Sequence, residues 1–245
     1  MYRFAFRGRW LVGHFVVLLL AGLFILAGFW QLDRLHQVRQ QNALIVDRRD
    51  APVANLSDLV RASAASGAAA AQRRVTATGR FDPSHQAFEF AEFREQPGVD
   101  LLTPLVLADG TAVIVDRGWV PVEPPAQPVP AEAAPPTGLV HVAGTALAGS
   151  PGGSIGTTAG MLQVTRINLG LLQSNMPYDL FPVFVRLDEQ RPSQPGGLPR
   201  PVPPPALDEG PHFSYAVQWF TFTAIGLIGW PLVIRKAAYD RAMAG

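Results

Sequence analysis

Cysteine is absent from the 245 residues of this chain. Disulfide bonds, thiolate nucleophiles and thiolate metal ligands are therefore excluded, and cysteine usage does not identify the redox compartment. Lysine is nearly absent as well, because Lys236 is the only lysine among the 20 basic residues. Such a preference for arginine is typical of GC-rich bacterial genomes. The formal net charge of only +1 provides no electrostatic basis for binding nucleic acid.

Charged residues are missing from two long stretches, Trp10–Trp30 and Phe213–Ile234. At about 1.5 Å per helical residue, each is long enough to cross a hydrocarbon layer of about 30 Å. The first stretch leads into bulky residues, Phe29–Leu32, rather than into the small-residue site at which a signal peptide is cleaved. We therefore predict two transmembrane helices, at residues 10–32 and 212–234, of which the first is an uncleaved anchor.

Basic residues flank both predicted spans on the side of the chain termini. The positive-inside rule applies to short flanks of this kind, so these ends are predicted to be cytoplasmic. Residues 1–9 and 235–245 then lie in the cytoplasm, and residues 33–211 lie outside it. The predicted location is the bacterial plasma membrane, crossed twice. The flanking basic residues are Arg3, Arg7 and Arg9 before the first span and Arg235, Lys236 and Arg241 after the second.

The predicted external segment changes from helical to strand-like patterning near Arg73. Gln31–Arg49 lacks glycine and proline, so it is predicted to continue the first helix. Beyond Arg73, apolar residues alternate with polar or small ones in short runs, and Asp109-Gly110 marks a hairpin turn. The predicted fold class is membrane α+β, with two transmembrane helices flanking an extracytoplasmic antiparallel β-rich domain, a small barrel or sandwich. The predicted strands are Val75–Phe81, Phe88–Phe93, Leu101–Leu107, Ala112–Val120, Leu139–Leu147 and Pro182–Leu187, with a short helix at Leu56–Arg61.

Proline is concentrated in two parts of the external segment, Pro121–Pro136 and Pro192–Pro205. Polyproline backbone is extended and makes no internal hydrogen bonds, so both parts are predicted to be solvated connectors. The second leads directly to His212 at the start of the second span.

One face of the second span collects ring-bearing and small residues. A helical residue turns about 100°, which places six residues within about 60° of one stripe. Because lipid requires no such pattern, the stripe is predicted to face protein or a bound flat ligand. The alternative is an aromatic belt at the membrane surface with a histidine at headgroup level. The six residues are His212, Tyr215, Trp219, Thr223, Gly226 and Trp230.

Motifs for hydrolysis are weak in this sequence. Gly152–Gly156 matches G-x-S-x-G, but a nucleophilic Ser154 would need a strand before it and a helix after it. Pro151 precedes the motif and glycine-rich sequence follows, so a loop is predicted. The external histidines, His36, His85 and His141, lack a recognisable catalytic or metal-binding spacing.

The segment Asp116–Trp119 ends a predicted strand. Arg117 can form a forked contact, Gly118 permits an unusual turn, and Trp119 offers a large face for burial. We predict a structural lock at this strand end, with a contact surface as the alternative.

Several segments, in the correct order, resemble the surfeit locus protein 1 family of cytochrome oxidase assembly factors. The first resembles that family's G-x-W-Q-x-x-R-L exit from the first span, and the last resembles its H-x-x-Y-A-x-x-W-F opening of the second. Between them stand a G-x-(aromatic)-D element and the R-G-W segment. The matching segments are Gly28–Leu35, Gly79–Asp82, Thr103–Leu105, Asp109–Gly110, Val115–Pro121 and His212–Phe220.

The resemblance implies a role in maturing haem–copper cytochrome c oxidase, with haem a delivered to the catalytic subunit. By that analogy His212 is the haem-iron ligand, and neutral imidazole suits haem iron. Tyr215, Trp219, Trp30 and Gln31 are expected to complete the cofactor site. Expected partners are the oxidase catalytic subunit, other assembly factors and membrane lipid, and no enzymatic reaction is expected.

The sequence departs from the family's pattern in one stretch, and its proline-rich connectors are long. Residues 161–180 lack the tryptophan of the family's N-x-x-W-x-x-D-like stretch, so a surface there is expected to be lost or remodelled. His14 lies on the order of 20 Å from the depth of His212, so the two cannot ligate one iron, and His14 is predicted to be interfacial. A cofactor-free scaffold that binds oxidase subunits is the alternative function, and an anchored hydrolase using Ser154 is a remote third.

Overall fold

The computed structural model describes residues 3–62, 67, 69–122, 129–158, 160–204 and 206–243. The chain forms two compact units. A helical unit comprises Met1–Leu44 and Ala206–Gly245, and a sheet unit comprises Ile45–Pro205.

Two long helices dominate the helical unit. Helix α1 runs from Arg9 to Asp50, and helix α4 from His212 to Met243. Both are long and apolar enough to cross a membrane, which supports membrane association. The continuous α1 confirms the predicted extension beyond Gln31, because no glycine or proline interrupts it there. A short 3₁₀ helix, Arg3–Phe6, precedes α1.

Helices α1 and α4 pack through glycines on α1 and rings on α4. A Cβ atom on Gly13 would lie 2.4 Å from the Trp230 ring, and one on Gly28 would lie 2.7 Å from the Phe220 ring. Small residues at such contacts let apolar helices approach closely. The predicted stripe therefore faces α1 along most of its length, with Thr223 buried. Tyr215, of which 46% of the surface is exposed, and Gly226, which has open space around its Cβ position, are exceptions.

Among the described residues of the sheet unit, nine strands form one sheet. In sheet order they are β1, β2, β6, β9, β5, β4, β3, β8 and β7, and β2 also pairs with β4. Strands β2, β6, β9, β5 and β4 consequently form a closed ring of pairings, and the other four extend from it. The bounds are β1 Ala54–Asn55, β2 Arg74–Phe81, β3 Ala87–Phe93, β4 Gln96–Leu107, β5 Ala112–Pro121, β6 Val140–Leu147, β7 Ile155–Thr158, β8 Met161–Val164 and β9 Leu180–Arg191.

The sheet is mixed, so the prediction of an antiparallel sheet is wrong for three strand pairs. Strands β1 and β2, β3 and β8, and β5 and β9 run parallel. Alternation of apolar residues identifies a strand but not the direction of its neighbour, which depends on long connections. Because four strands lie outside the closed ring, neither a small barrel nor a sandwich describes the whole sheet.

The predicted strands all exist, but three short ones, β1, β7 and β8, were not predicted. Asp109 and Gly110 form the expected turn between β4 and β5, with Gly110 at φ +83°. Strands β7 and β8 occupy the region predicted as a glycine-rich loop, because four residues beside glycines show too little alternation. The short helices of this unit are α2, Leu56–Ala62, and α3, Leu169–Gln173, with 3₁₀ turns at Pro83–His85 and Ala131–Ala133.

The main core lies among the ring strands. Alternate residues of β2 and β6, and both Val113 and Val115 of β5, contribute fully buried side chains. Helix α2 packs Leu56 against the same cluster. Burying one such aliphatic side chain contributes about 1.5–3 kcal/mol, so this cluster is the main source of the sheet unit's stability.

Candidate functional site

The first residue of α4, His212, bonds to α1. The Nδ1 atom of the His212 ring lies 2.8 Å from Oε1 of Gln31, which is 181 positions away in sequence. An amide oxygen only accepts hydrogen bonds, so Nδ1 carries the proton and donates it. In a neutral imidazole the lone pair is then on Nε2. The structure thus brings together two of the five predicted cofactor-site residues and leaves Nε2 as the nitrogen for a ligand.

The segment that leads into α4 is fastened to α1. The Arg39 guanidinium donates two hydrogen bonds of 2.8 Å to the Glu209 carboxylate. Asn42 donates a longer bond, 3.5 Å, to the carbonyl of Asp208. Hydrogen bonding to Arg39 lowers the pKa of Glu209. This contact between distant parts of the sequence had no recognisable signal, because arginine and glutamate are ordinary surface residues.

The predicted aromatic residues occupy different surroundings. The Trp219 ring packs 5.3 Å from the Phe24 ring, within the contact between the two helices. Trp30 and Tyr215 are 62% and 46% exposed, respectively. Exposed aromatic surface at this level is available to a ligand or to lipid, whereas Trp219 serves packing between the helices.

His14 is bonded at both ring nitrogens. Trp230 donates its indole N–H to Nδ1 at 2.8 Å, and Nε2 lies 2.9 Å from the carbonyl of Ala5. Because indole only donates and a carbonyl only accepts, His14 holds the Nε2–H tautomer. The half-buried ring joins α4 to the segment before α1, a role that the predicted interfacial position does not require. No nitrogen remains for a metal.

Arg117 is buried within the sheet unit, with 2% of its surface exposed. Its guanidinium donates to the Ala133 carbonyl at 2.9 Å and to Oε1 of Gln194 at 2.7 Å. It also lies over the Phe81 ring, 5.4 Å from the centroid. Burial lowers the pKa of Arg117 to about 10. Within the described residues, neutral groups therefore hold this cation in place of a carboxylate.

The same contacts fasten both proline-rich segments to the sheet. Gln194 donates to the carbonyls of Glu132 and Ala134 at 3.0 and 2.8 Å. Together with Arg117, it links the segment near 130–134 to the segment near 194. The prediction of solvated connectors is therefore wrong for these parts, since hydrogen bonds to Arg117 and to each other hold them, of which the bond from Arg117 to Ala133 is buried. Residues 123–128 and 205 of the predicted connectors lie outside the described residues.

Trp119 is completely buried, and its surroundings require glycine at two positions. A Cβ atom on Gly98 would lie 2.3 Å from the indole nitrogen. Gly118 has φ +112°, and a Cβ atom there would lie 2.3 Å from the Arg200 carbonyl oxygen. Trp119 and Arg200 exchange backbone hydrogen bonds of 2.8 and 2.7 Å. These contacts support the predicted structural lock over a contact surface.

Four charged residues form a row across neighbouring strands. Glu89 faces Asp100 between β3 and β4, and Asp116 faces Arg186 between β5 and β9. Nε of Arg186 lies 3.6 Å from the Asp116 carboxylate. Burial, then the nearby charges of Asp116 and Glu89, raises the pKa of Asp100 to about 7. Because three carboxyl groups lie near a single guanidinium, their mutual repulsion favours the protonated form of Asp100.

A second polar cluster joins Asp82 to His85 and Tyr178. Nδ1 of His85 lies 2.6 Å from Oδ2 of Asp82, and the Tyr178 hydroxyl donates to the same oxygen at 2.9 Å. Burial acts to raise the pKa of Asp82, but hydrogen bonds from His85, Ser84 and Tyr178 outweigh it and lower that pKa. His85 also lines a cavity of about 290 Å³. The D-P-S-H turn could have indicated the Asp82–His85 contact, but Tyr178 had no sequence signal.

Ser154 does not occupy a nucleophile elbow. A strand follows it rather than precedes it, and its backbone N–H donates to the Thr165 hydroxyl at 2.9 Å. The requirement of strand, turn and helix is therefore unmet. In the described parts of the chain, no group of three histidine, aspartate or glutamate side chains could hold a metal ion.

Comparison with known proteins identifies the family. The sequence model of the SURF1 family matches residues 18–224. The chain is 31% identical over 235 residues to a SURF1-like protein of Mycobacterium bovis and, equally, to SURF1-like proteins of two Mycobacterium tuberculosis strains. These alignments cover 92% of this chain and 83% of each relative. The chain therefore belongs to the SURF1 family, known in general as cytochrome oxidase assembly factors rather than enzymes.

Proposed function

We propose that this protein matures haem–copper cytochrome c oxidase by presenting haem a, held through His212, to the catalytic subunit. The observation that carries the proposal is the Gln31–His212 hydrogen bond, which occupies Nδ1 and leaves Nε2 available. Carriers need a ligand that binds iron and later releases it, and one neutral imidazole meets that need.

The residues near His212 suit a haem group. Nε2 of His212 would ligate the iron, and the exposed rings of Trp30 and Tyr215 offer apolar surface at the same end of the helix pair. Bound haem would supply the iron centre that the catalytic subunit needs. Gln31 supports the ligand through its hydrogen bond, and Trp219 acts through helix packing.

The proposal includes a location and partners. Both α1 and α4 span the bacterial plasma membrane, with both termini in the cytoplasm and the sheet unit outside. The apolar outer faces of the helices contact lipid. The oxidase catalytic subunit and other assembly factors are the protein partners.

A haem spectrum of the purified full-length protein tests the proposal. The protein is expressed in cells that make haem a, alongside His212→Ala and the control His36→Ala, an exposed histidine on α1. We expect bound haem a in the wild type and the control, and a loss of at least tenfold in His212→Ala at equal protein yield. A wild type without haem would favour the cofactor-free scaffold, and unchanged haem in His212→Ala would refute the ligand assignment.

A further inference from the structure

Two residues adjoin the two nitrogens of the His212 ring. Gln31 bonds to Nδ1 at 2.8 Å. Near the second nitrogen, a Cβ atom built on Gly210 would lie 3.5 Å from both Nε2 and Cδ2. We infer that Gln31 and Gly210 are positioning residues that reserve Nε2 of His212 for an incoming metal-centred ligand. The inference rests on the proposed function, because His212 is its iron ligand.

Gln31 selects the nitrogen. Its amide oxygen accepts the proton of Nδ1, so the neutral ring presents the Nε2 lone pair and no other. A hydrogen bond from the second nitrogen also fixes ring orientation and strengthens the ligand, and losing such a partner typically reduces metal affinity about 10–100-fold. Gln31 reaches His212 from the facing helix, which prevents rotation of the ring about its own side-chain bonds.

Gly210 keeps the approach to that nitrogen open. A metal ion bound by imidazole lies about 2 Å from the nitrogen, and carbon atoms in contact are about 3.5–4 Å apart. A methyl group 3.5 Å from Nε2 would therefore collide with a flat macrocycle centred on the metal. Glycine at this position contributes no such group.

The position of Gly210 is held by its neighbours. Its backbone N–H donates to Oδ1 of Asp208 at 2.9 Å, and its φ of +69° is in the left-handed region. The adjacent Glu209 carboxylate is held by two hydrogen bonds from Arg39. These contacts fix the turn before α4, and with it the position of Gly210 beside Nε2.

Nitrogen NMR of the full-length protein, with ¹⁵N-labelled histidine and no haem, tests the tautomer. The His212 signals are assigned by their loss in His212→Ala. We expect a protonated Nδ1 and an unprotonated Nε2 at pH 8. Gln31→Leu should abolish this preference, whereas Gln31→Glu, which keeps an acceptor, and Gln37→Leu, on the same helix, should retain it. An Nε2–H tautomer in the wild type would overturn the inference.

Titration with haem b, used as a probe, tests the steric role. We expect Gly210→Ala to weaken haem binding at least tenfold and Gln31→Leu to weaken it about 10–100-fold. Gln31→Glu, which keeps an acceptor, should bind haem as the wild type does. The control is Gly8→Ala, because Gly8 also has a positive φ, +52°, but has open space around its Cβ position. Binding by Gly210→Ala equal to that of Gly8→Ala would overturn the inference.

The two assays separate the inference from the proposed function. A wild type with the expected tautomer but no haem binding at any concentration overturns the proposed function and leaves the tautomer assignment supported. Haem binding that requires His212 but ignores both Gln31 and Gly210 overturns the inference alone.

Discussion

Replacement of Asp100 by asparagine should make the protein more stable at pH 8 but not at pH 5. Asp100 lies between Glu89 and Asp116 in the row of charges, and its Oδ1 atom is buried without a partner among the described residues. Asparagine has nearly the same shape and remains neutral at all pH values. The substitution therefore removes the ionisable group while retaining the packing.

The stabilisation expected from Asp100→Asn follows from the direction in which folding changes the pKa of Asp100. The folded protein raises the pKa of Asp100 from 3.8 to about 7, so the folded state binds its proton more tightly than the unfolded state. The associated stability is present below about pH 4 and is lost as pH rises through 7. A change of about three pKa units corresponds to about 4 kcal/mol, at 1.36 kcal/mol per unit. Because the carboxyl is partly solvated, we expect about 1–2 kcal/mol.

Thermal unfolding of the full-length protein in detergent, followed by tryptophan fluorescence, measures the effect. For a protein of this size, 1–2 kcal/mol corresponds to an increase in Tm of about 2–8 °C at pH 8. The control is Asp58→Asn, because Asp58 is an exposed partner of Arg61. Burial also raises the pKa of Glu89 and of Asp188, so some pH dependence should remain in the variant. A Tm difference that fails to grow between pH 5 and pH 8 would refute the reasoning.

Three further predictions concern packing, a buried hydrogen bond and topology. Trp119→Ala should lose about 3–5 kcal/mol and accumulate poorly on immunoblots, whereas exposed Trp30→Ala should not; normal accumulation with failed oxidase assembly would make the R-G-W segment a contact surface. Tyr178→Phe should lose about 1.5–3 kcal/mol by thermal unfolding at pH 7, and progressively less as pH falls through the lowered pKa of Asp82, where that carboxylate becomes protonated; a loss that stays constant as pH falls through that pKa would contradict this. Reporters active only outside the cytoplasm should work at Asp109–Gly110 and fail at the C-terminus; an active C-terminal reporter would refute the predicted topology.

The fold was predictable where local patterning determines structure. Two uncharged stretches indicated α1 and α4, and alternation located β2 to within one residue of its start at Arg74. Pair direction was not predictable, because β9 reaches β5 only through a connection whose path leaves no local pattern. The proline-rich segments were misjudged for a related reason. Their composition indicated extended backbone correctly, but it did not indicate their hydrogen bonds, which come from Arg117 on β5 and from Gln194, by which one segment bonds to the other.

In the candidate site, the sequence indicated which residues belong to it but not the role of each one. The sequence indicated His212 and Gln31 separately, as the iron ligand and as one of four residues around the cofactor. The structure joins them by one hydrogen bond across 181 positions, and this bond changes the role expected of Gln31. Gly210 had no motif to indicate it, because its importance depends on the His212 ring edge 3.5 Å away. A histidine is therefore not assigned as a ligand by its motif alone. His14 also lies on an apolar helix, but both of its nitrogens are bonded within the protein, whereas no described residue bonds to Nε2 of His212.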